Sequence, residues 1–346
     1  MIFLCNSRED AWRIIELIRS AHTGRIFNYV INDSFGRVFL IIDGNLEAIT
    51  DGFIERNELH KVFSILDGDD LFFVTDQTLV PELRIGKRLY DPQDHKVSVI
   101  AGPCAIESYE SLYETAMALK KEGVSVFRAM PGKPRTSPYN FQGVGDIGWE
   151  YLHRIKEDTG LPVLGEVLCQ EDIDLALEYD IDLIQIGTRN MQNYDLLKRA
   201  ARSRIPTILK KGMWCTNEQL LKAAEYFYVY GSGNVILAER GIQTHETGTR
   251  NTFDVSSILT LKEKTCLPVL ADASHGTGVR EFVTPVNCAA VLMGADLVEV
   301  EVHMDPDSTI KPGDYYQMLD IGQYRELLKE LAGVMALVGK RFDFES

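Results

Sequence analysis

From residue 98 onward the chain repeats one pattern. A short apolar run ends in a polar or charged residue. A longer stretch follows, with apolar positions three and four apart. Eight segments show the first half of the pattern: 98–102 (followed closely by Cys104), 125–128, 161–166, 183–189, 206–210, 235–240, 268–275 and 297–301. Short apolar runs bounded by turn residues predict buried strands, and the intervening spacing predicts amphipathic helices. Those helices are expected over 108–122, 146–159, 171–179, 194–203, 217–228, 255–264, 279–293 and 320–338. Ser108 is a capping residue at the first, while Gly123 and Gly160 stop the first two. Strands alternating with helices in this way predict an α/β fold, a (β/α)8 TIM barrel. Its site gathers at the C-terminal ends of the strands.

The first 70 residues follow a different rhythm. Positions 2–4 read as a strand and 8–18 as a helix. Positions 25–31 and 37–42 read as a strand pair around a turn at 32–36, and 45–52 as a short helix. A last strand is expected at 60–66. The order βαββαβ is that of a small α+β ferredoxin-like module, a common regulatory appendage. Residues 71–96 are mixed and polar, with Pro81, Gly86 and Pro92, and read as a linker carrying a short strand at 71–73. The expected division is a module at 1–70, a linker at 71–96 and a barrel at 97–346.

Composition narrows the function. The net charge of -15 argues against a nucleic-acid partner, which needs a basic surface. No apolar run approaches the roughly 20 residues that span a bilayer, so no membrane association is expected. The start, Met1 to Asn6, lacks a basic segment followed by a long apolar one, so no signal peptide is read. The six cysteines are scattered without a CxxC pair, which predicts reduced thiols and a cytoplasmic location.

The strand ends carry the chemistry. Cys104 follows Gly102-Pro103; a lone loop thiol is usually inert. His275 closes the seventh strand segment. Alternation puts Glu299, Glu301 and His303 on one face of the eighth. An inward carboxylate needs a counter-charge. A divalent metal held by Cys, His, Glu and a nearby Asp would supply one. The thiolate favours Mn, Fe, Co or Zn over Mg or Ca. Arg128, Lys133, Arg135, Arg189, Lys210 and Arg240 are cations expected on one rim. They would repel one another without two phosphate groups, or a phosphate and a carboxylate, to bind. The segment Lys133 to Pro138 adds hydroxyl donors suited to a phosphate. The tract Thr244 to Thr252, with His245 and Glu246, reads as a loop, and Met213-Trp214 as lid or core.

Several longer motifs then point one way. They are Ala101-Gly-Pro-Cys-Ala-Ile-Glu107, Lys133-Pro-Arg-Thr-Ser-Pro-Tyr-Asn-Phe-Gln-Gly143 and Ile184-Gln-Ile-Gly-Thr-Arg-Asn-Met-Gln-Asn193. With them stand Leu209-Lys-Lys-Gly-Met213, Ala238-Glu-Arg-Gly-Ile242, Asp272-Ala-Ser-His275 and Val298-Glu-Val-Glu-Val-His303. In this order they resemble the 3-deoxy-D-arabino-heptulosonate 7-phosphate (DAHP) synthases. The resemblance is to the type I beta branch, in which a ferredoxin-like regulatory domain precedes a single barrel.

The resemblance implies condensation of phosphoenolpyruvate with erythrose 4-phosphate, the first step of the shikimate route to aromatic amino acids. It implies a divalent metal on Cys104, His275 and Glu301. A two-residue insertion brings Asp314 into the place of the fourth ligand. Arg189, Lys210 and Arg240 would hold phosphoenolpyruvate, with Arg128 and Lys133 beside them. Lys133, Pro134, Arg135 and Thr136 would meet the aldose phosphate. Lys133, Glu166 and His275 would be catalytic, with Glu166 near the reacting carbon. The family also implies a homotetramer and feedback inhibition by an aromatic amino acid such as Tyr or Phe.

Three departures surround the acceptor. Arg128-Ala-Met-Pro-Gly-Lys133 replaces Arg-Gly-Gly-Ala-aromatic-Lys, Ala273 replaces a Pro, and Thr188 replaces an Ala. Another phosphorylated aldose, such as arabinose 5-phosphate, therefore stands as an alternative acceptor. A silent relative that binds an aromatic metabolite is a second alternative. The intact Cys, His, Glu and Lys set argues against it.

Overall fold

In an extended chain alternate side chains face opposite ways, so two residues of spacing decide which side chains meet at the centre of a closed sheet. The computed structural model describes residues 2–21, 27–43, 54, 57–59, 63–66, 71–134, 139, 141–308 and 315–344.

The N-terminal module holds strands β1 (Ile2–Cys5), β2 (Asn28–Asn32), β3 (Val38–Asp43) and β4 (Phe63–Leu66). They form one antiparallel sheet in the order β2-β3-β1-β4, the order expected of a βαββαβ chain. The helix Arg8–Ala21 turns Ala11, Ile14, Ile15 and Ile18 toward Phe3, Cys5, Leu40 and Ile42. Their spacing of three and four residues makes one apolar stripe. The expected helix at 45–52 lies outside the described residues. The module seats against the barrel. Phe39 meets Phe73 edge-on at 5.0 Å, and Phe35 stacks on Tyr228 at 5.5 Å. The Asn32 amide donates to the carbonyl of Tyr228, and the Ser34 hydroxyl donates to that of Gly231 at 3.0 Å.

Residues 71–75 form a turn where a short strand was expected. A hairpin of β5 (Arg84–Ile85) and β6 (Arg88–Leu89) follows. Then come the barrel strands: β7 (Lys96–Gly102), β8 (Val126–Arg128), β9 (Val163–Val167), β10 (Leu183–Ile186), β11 (Thr207–Lys210), β12 (Val235–Glu239), β13 (Val269–Ala271) and β14 (Leu297–Glu301). Neighbours pair in parallel, and β14 closes on β7 with Glu301 opposite Gly102. The expected (β/α)8 barrel behind a small α+β module is the architecture found. A last strand, β15 (Arg341–Phe342), adds to the start of β7.

The barrel helices fall within one or two residues of their expected ends, while the helix of the module runs to Ala21, three residues past its expected end. Ser108 accepts a hydrogen bond from the Ser111 amide at the head of Tyr109–Glu122, and Gly160 ends Ile147–Thr159 in the left-handed conformation. No helix among the described residues is long and apolar enough to cross a membrane.

Inside the barrel, Ile100, Val126, Leu164, Leu183, Ile208, Ile236, Leu270 and Leu297 form a buried layer. Leu83, Ile85 and Tyr90 of the hairpin region close it from below. Two residues further along the same inward faces stand Arg128, Glu166, Gln185, Lys210, Asp272 and Glu299; four further stand Cys104, Arg240 and Glu301. The period of the strand thus sets a polar site directly on an apolar floor.

Candidate active site

Two of the site's side chains reach it by a different route from the one expected. The seventh strand stops at Ala271, not at His275. The Asp272 carboxylate accepts from the His275 amide at 3.0 Å and so starts a short helix, Ala273–Thr277, that carries His275. Arg189 sits on a single 3-10 turn, Thr188–Asn190, past the end of β10. Both still point their chemistry into the mouth of the barrel.

The buried centre is a chain of ion pairs. Arg128 lies 2.6 Å from Glu299 and 3.5 Å from Glu301. Lys210 bridges Asp272, at 2.6 Å, and Glu299. His275 Nδ1 meets Asp272 at 2.8 Å, and its Nε2 lies 3.3 Å from Glu301. Lys133 donates to the Cys104 sulfur and lies 3.4 Å from Glu301. Cys104, Arg128, Glu299 and Glu301 are fully buried. Charges so far from water persist only because each has an opposite partner.

These partners set the protonation states. Burial would raise the Asp272 carboxyl, but the charges of His275 and Lys210 hold it well below the usual carboxylate range. Glu301 is likewise opposed by burial and held low by His275 and Lys133. Burial disfavours charge on His275, yet Asp272 and Glu301 raise its pKa above the ordinary imidazole value. Glu166 is the exception: burial pushes its pKa up, only partly offset by Lys133, His275 and other cations. Its carboxylate rests against Gly187, where a Cβ would lie 2.2 Å from Oε1.

Above this centre opens a cavity of about 420 Å³. Its charged lining is Lys133, Arg189, Lys210, Arg240 and Arg250 against Glu166 and Asp272, with His275 beside them. Five fixed cations face two carboxylates. Burial, with Arg250 and Arg189 close by, lowers the Arg240 pKa. Such a surplus stores repulsion that a bound anion relieves.

Cys104, Arg128, Lys133, Glu166, Lys210, His275 and Glu301 therefore meet in one place, and Pro134, Arg189 and Arg240 line the cavity above them. Arg135, Thr136 and Asp314 lie outside the described residues. Among the described residues no three His, Cys, Asp or Glu side chains are grouped closely enough to hold a metal. Sequence reasoning missed Arg250, Asn251, Gln243, Gln185 and Gln317. The tract 244–252 is indeed a loop, with His245 exposed, but Arg250 and Asn251 at its end turn back into the cavity. Met213 lines the cavity, while Trp214 is exposed.

The model of the DAHP synthetase I family matches residues 79–338. The chain belongs to this family. It is therefore an enzyme, one that carries out a phosphoenolpyruvate-dependent aldol condensation. A phospho-2-dehydro-3-deoxyheptonate aldolase of Thermotoga maritima is 37% identical over 309 residues, covering 83% of this chain and 90% of that protein. A 2-dehydro-3-deoxyphosphooctonate aldolase of Magnetococcus marinus is 31% identical over 277 residues, covering 75% of this chain and 92% of that one. A crystal structure of the Thermotoga maritima phospho-2-dehydro-3-deoxyheptonate aldolase superposes with a TM-score of 0.74 at 32% identity, covering 99% of both chains. A truncated form of the Thermotoga maritima 3-deoxy-D-arabino-heptulosonate 7-phosphate synthase gives 0.66 at 38% identity, covering 72% of this chain and 91% of that one.

Proposed function

We propose that this enzyme condenses phosphoenolpyruvate with erythrose 4-phosphate to give DAHP and inorganic phosphate. The observation that carries the reading is the cavity itself. Five cations line one chamber directly above a thiol, an imidazole and a carboxylate. Two phosphorylated substrates need that charge to lie side by side. Erythrose 4-phosphate is favoured because the likeness to the heptonate aldolase structure extends over the N-terminal module as well as the barrel.

The donor set fits a borderline divalent metal. A sulfur, an imidazole nitrogen and a carboxylate oxygen are the donor types such an ion takes; among the described residues Lys133 stands between Cys104 and Glu301, and His275 Nε2 lies 3.3 Å from Glu301. Cys104, His275 and Glu301 would hold Mn, Fe, Co or Zn, with Asp314 as the fourth ligand. Once bound, the metal would polarise the aldehyde oxygen as a Lewis acid.

The chain's own groups do the rest. Arg189, Arg240 and Arg250 bind the phosphate of phosphoenolpyruvate, and Lys210 and Arg128 lie toward its carboxylate. Pro134, Arg135 and Thr136 receive the aldose phosphate. As C3 bonds to the aldehyde carbon, Lys133 gives its proton to the alkoxide. Glu166, a carboxylate whose pKa burial raises and whose basicity is thereby increased, takes a proton from the water that adds at C2. The bond from C2 to the phosphate oxygen then breaks, the C2 hydroxyl becomes the carbonyl, and its proton leaves with the phosphate. Asp272 orients His275 through Nδ1.

On this reading residues 1–70 form a regulatory module that binds an aromatic amino acid, 71–96 join it to the barrel, and the cytoplasmic enzyme works as a homotetramer. The segment Ala129 to Gly132 sustains a second reading, in which a pentose phosphate is the acceptor. The test is phosphate release from phosphoenolpyruvate by Mn-loaded protein with erythrose 4-phosphate, arabinose 5-phosphate or ribose 5-phosphate, with a chelator control. Turnover with erythrose 4-phosphate that the chelator abolishes is expected. Turnover only with arabinose 5-phosphate would replace the acceptor, and silence with every acceptor would overturn the reading.

A further inference from the structure

Gln317 has no accessible surface and touches both ends of the site. Its side-chain nitrogen donates to Glu301 Oε2 at 2.6 Å, and its oxygen accepts from Arg250 Nη2 at 3.2 Å. Chemistry fixes the direction of this amide. A guanidinium can only donate, and an ionised carboxylate can only accept. Turned over, the amide would set donor against donor and acceptor against acceptor.

The contacts of Glu301 divide between its two oxygens. Arg128, Lys133 and His275 all approach Oε1, at 3.5, 3.4 and 3.3 Å. Oε2 receives the Gln317 amide. The amide therefore locks the rotation of the carboxylate and decides which oxygen faces the cluster. At the other end Arg250 is clamped by its backbone. Its amide donates to Thr277 at 2.8 Å, and the Asn251 amide donates to Gly276 at 3.0 Å. Gly278, at φ +65, lies so close that a Cβ there would sit 2.8 Å from Arg250 Cβ. The loop is fixed, while the guanidinium lines the cavity beside Arg240.

We propose that Gln317 is a positioning residue that couples anion binding at Arg250 to the presentation of Glu301. The inference rests on the proposed roles of Glu301 as a metal ligand and of the cavity as a phosphate site. An anion shared by Arg189, Arg240 and Arg250 relieves their mutual repulsion and restrains the Arg250 guanidinium. The restrained guanidinium holds Gln317, and Gln317 holds Glu301 ready for a metal. Linkage makes the effect reciprocal: phosphate tightens the metal and the metal tightens phosphate by the same factor.

The test is calorimetric titration of metal-stripped, full-length protein with Mn2+, with and without saturating inorganic phosphate. For the wild type, phosphate should tighten Mn2+ about tenfold, within the ordinary range of coupling between sites. Gln317→Met keeps the volume and loses both hydrogen bonds. It should bind Mn2+ about tenfold more weakly, as loss of a ligand's supporting partner does. Its phosphate enhancement should fall below about threefold, the remainder being direct attraction between anion and metal. Gln317→Leu likewise lacks both hydrogen bonds and should behave like the Met variant; it serves as well if the Met variant does not fold. Arg250→Met should remove the enhancement, the ratio of Mn2+ affinities with and without phosphate being the quantity read.

The same phosphate enhancement in both Gln317 variants as in wild type would overturn the coupling, even if every affinity were weakened, because a merely structural role lowers affinity without changing the ratio. A wild type that binds neither Mn2+ nor phosphate would instead overturn the metal and anion readings on which the coupling stands.

Discussion

Gly187 has no side chain because the Glu166 carboxylate occupies the space one would need. Gly187→Ala should displace the Glu166 carboxylate, which the proposed mechanism sets beside the reacting carbon. Turnover should fall about 100-fold, the size expected when a catalytic group shifts by an ångström, while circular dichroism and thermal melting stay close to wild type. Unaltered turnover would remove Glu166 from the mechanism. Lys210→Met tests the ion-pair chain. It takes one of two cationic partners from each of buried Asp272 and Glu299, leaving them to His275 and Arg128, and urea titration should show a loss of about 1–3 kcal/mol. At this scale legibility followed the strand period. Arg128, Glu166, Lys210 and Glu301 lie on inward faces, and counting by twos from the apolar floor reaches each of them. Arg250 and Gln317 come from loops, where no period marks the residue that turns inward. His275 was visible in its motif, but its seat was not. An Asp three residues ahead of it can end a strand by capping a helix, and that competition between side chain and strand ladder does not alter the apolar pattern.

Among the elements, the barrel helices were read nearly to their ends because caps leave chemical marks: Ser108 at a start, Gly123 and Gly160 at stops. The hairpin β5–β6 leaves almost none. Its inward contribution is Leu83, Ile85 and Tyr90, too few positions to establish an alternation within a polar stretch. It nevertheless completes the barrel floor. Ile85→Ala should destabilise the protein by about 2–4 kcal/mol, as other large-to-small changes in a packed core do. Turnover per folded molecule should not change, because Ile85 lies beneath the site and not in it. A loss of turnover without loss of stability would mean that the floor transmits something to the chemistry above.

The whole molecule carries a net charge of -15 around a cationic chamber. Its acid stability should follow the buried carboxyls. Asp272 and Glu301 are held below their unfolded pKa values, which are near about 4. On acidification the unfolded chain takes up their protons first, so the stability they provide is full above that range and fades as the pH falls through the depressed folded values. Urea midpoints measured from pH 7 downward should therefore drop for the wild type. Asp272→Asn should start lower and drop less, so that the two curves converge in acid. Parallel curves would show that Asp272 is not part of the acid response.

The plugged floor also governs traffic. With Leu83, Ile85 and Tyr90 packed into the buried layer beneath it, the chamber offers no passage through its floor among the described residues. Two substrates and two products share its mouth, and a molecule seated deeper cannot overtake one seated nearer the mouth. Initial-rate kinetics should therefore show a queue: the reactant nearest the ion-pair chain is expected to bind first, its companion to close the passage behind it, and departure to run in the reverse order.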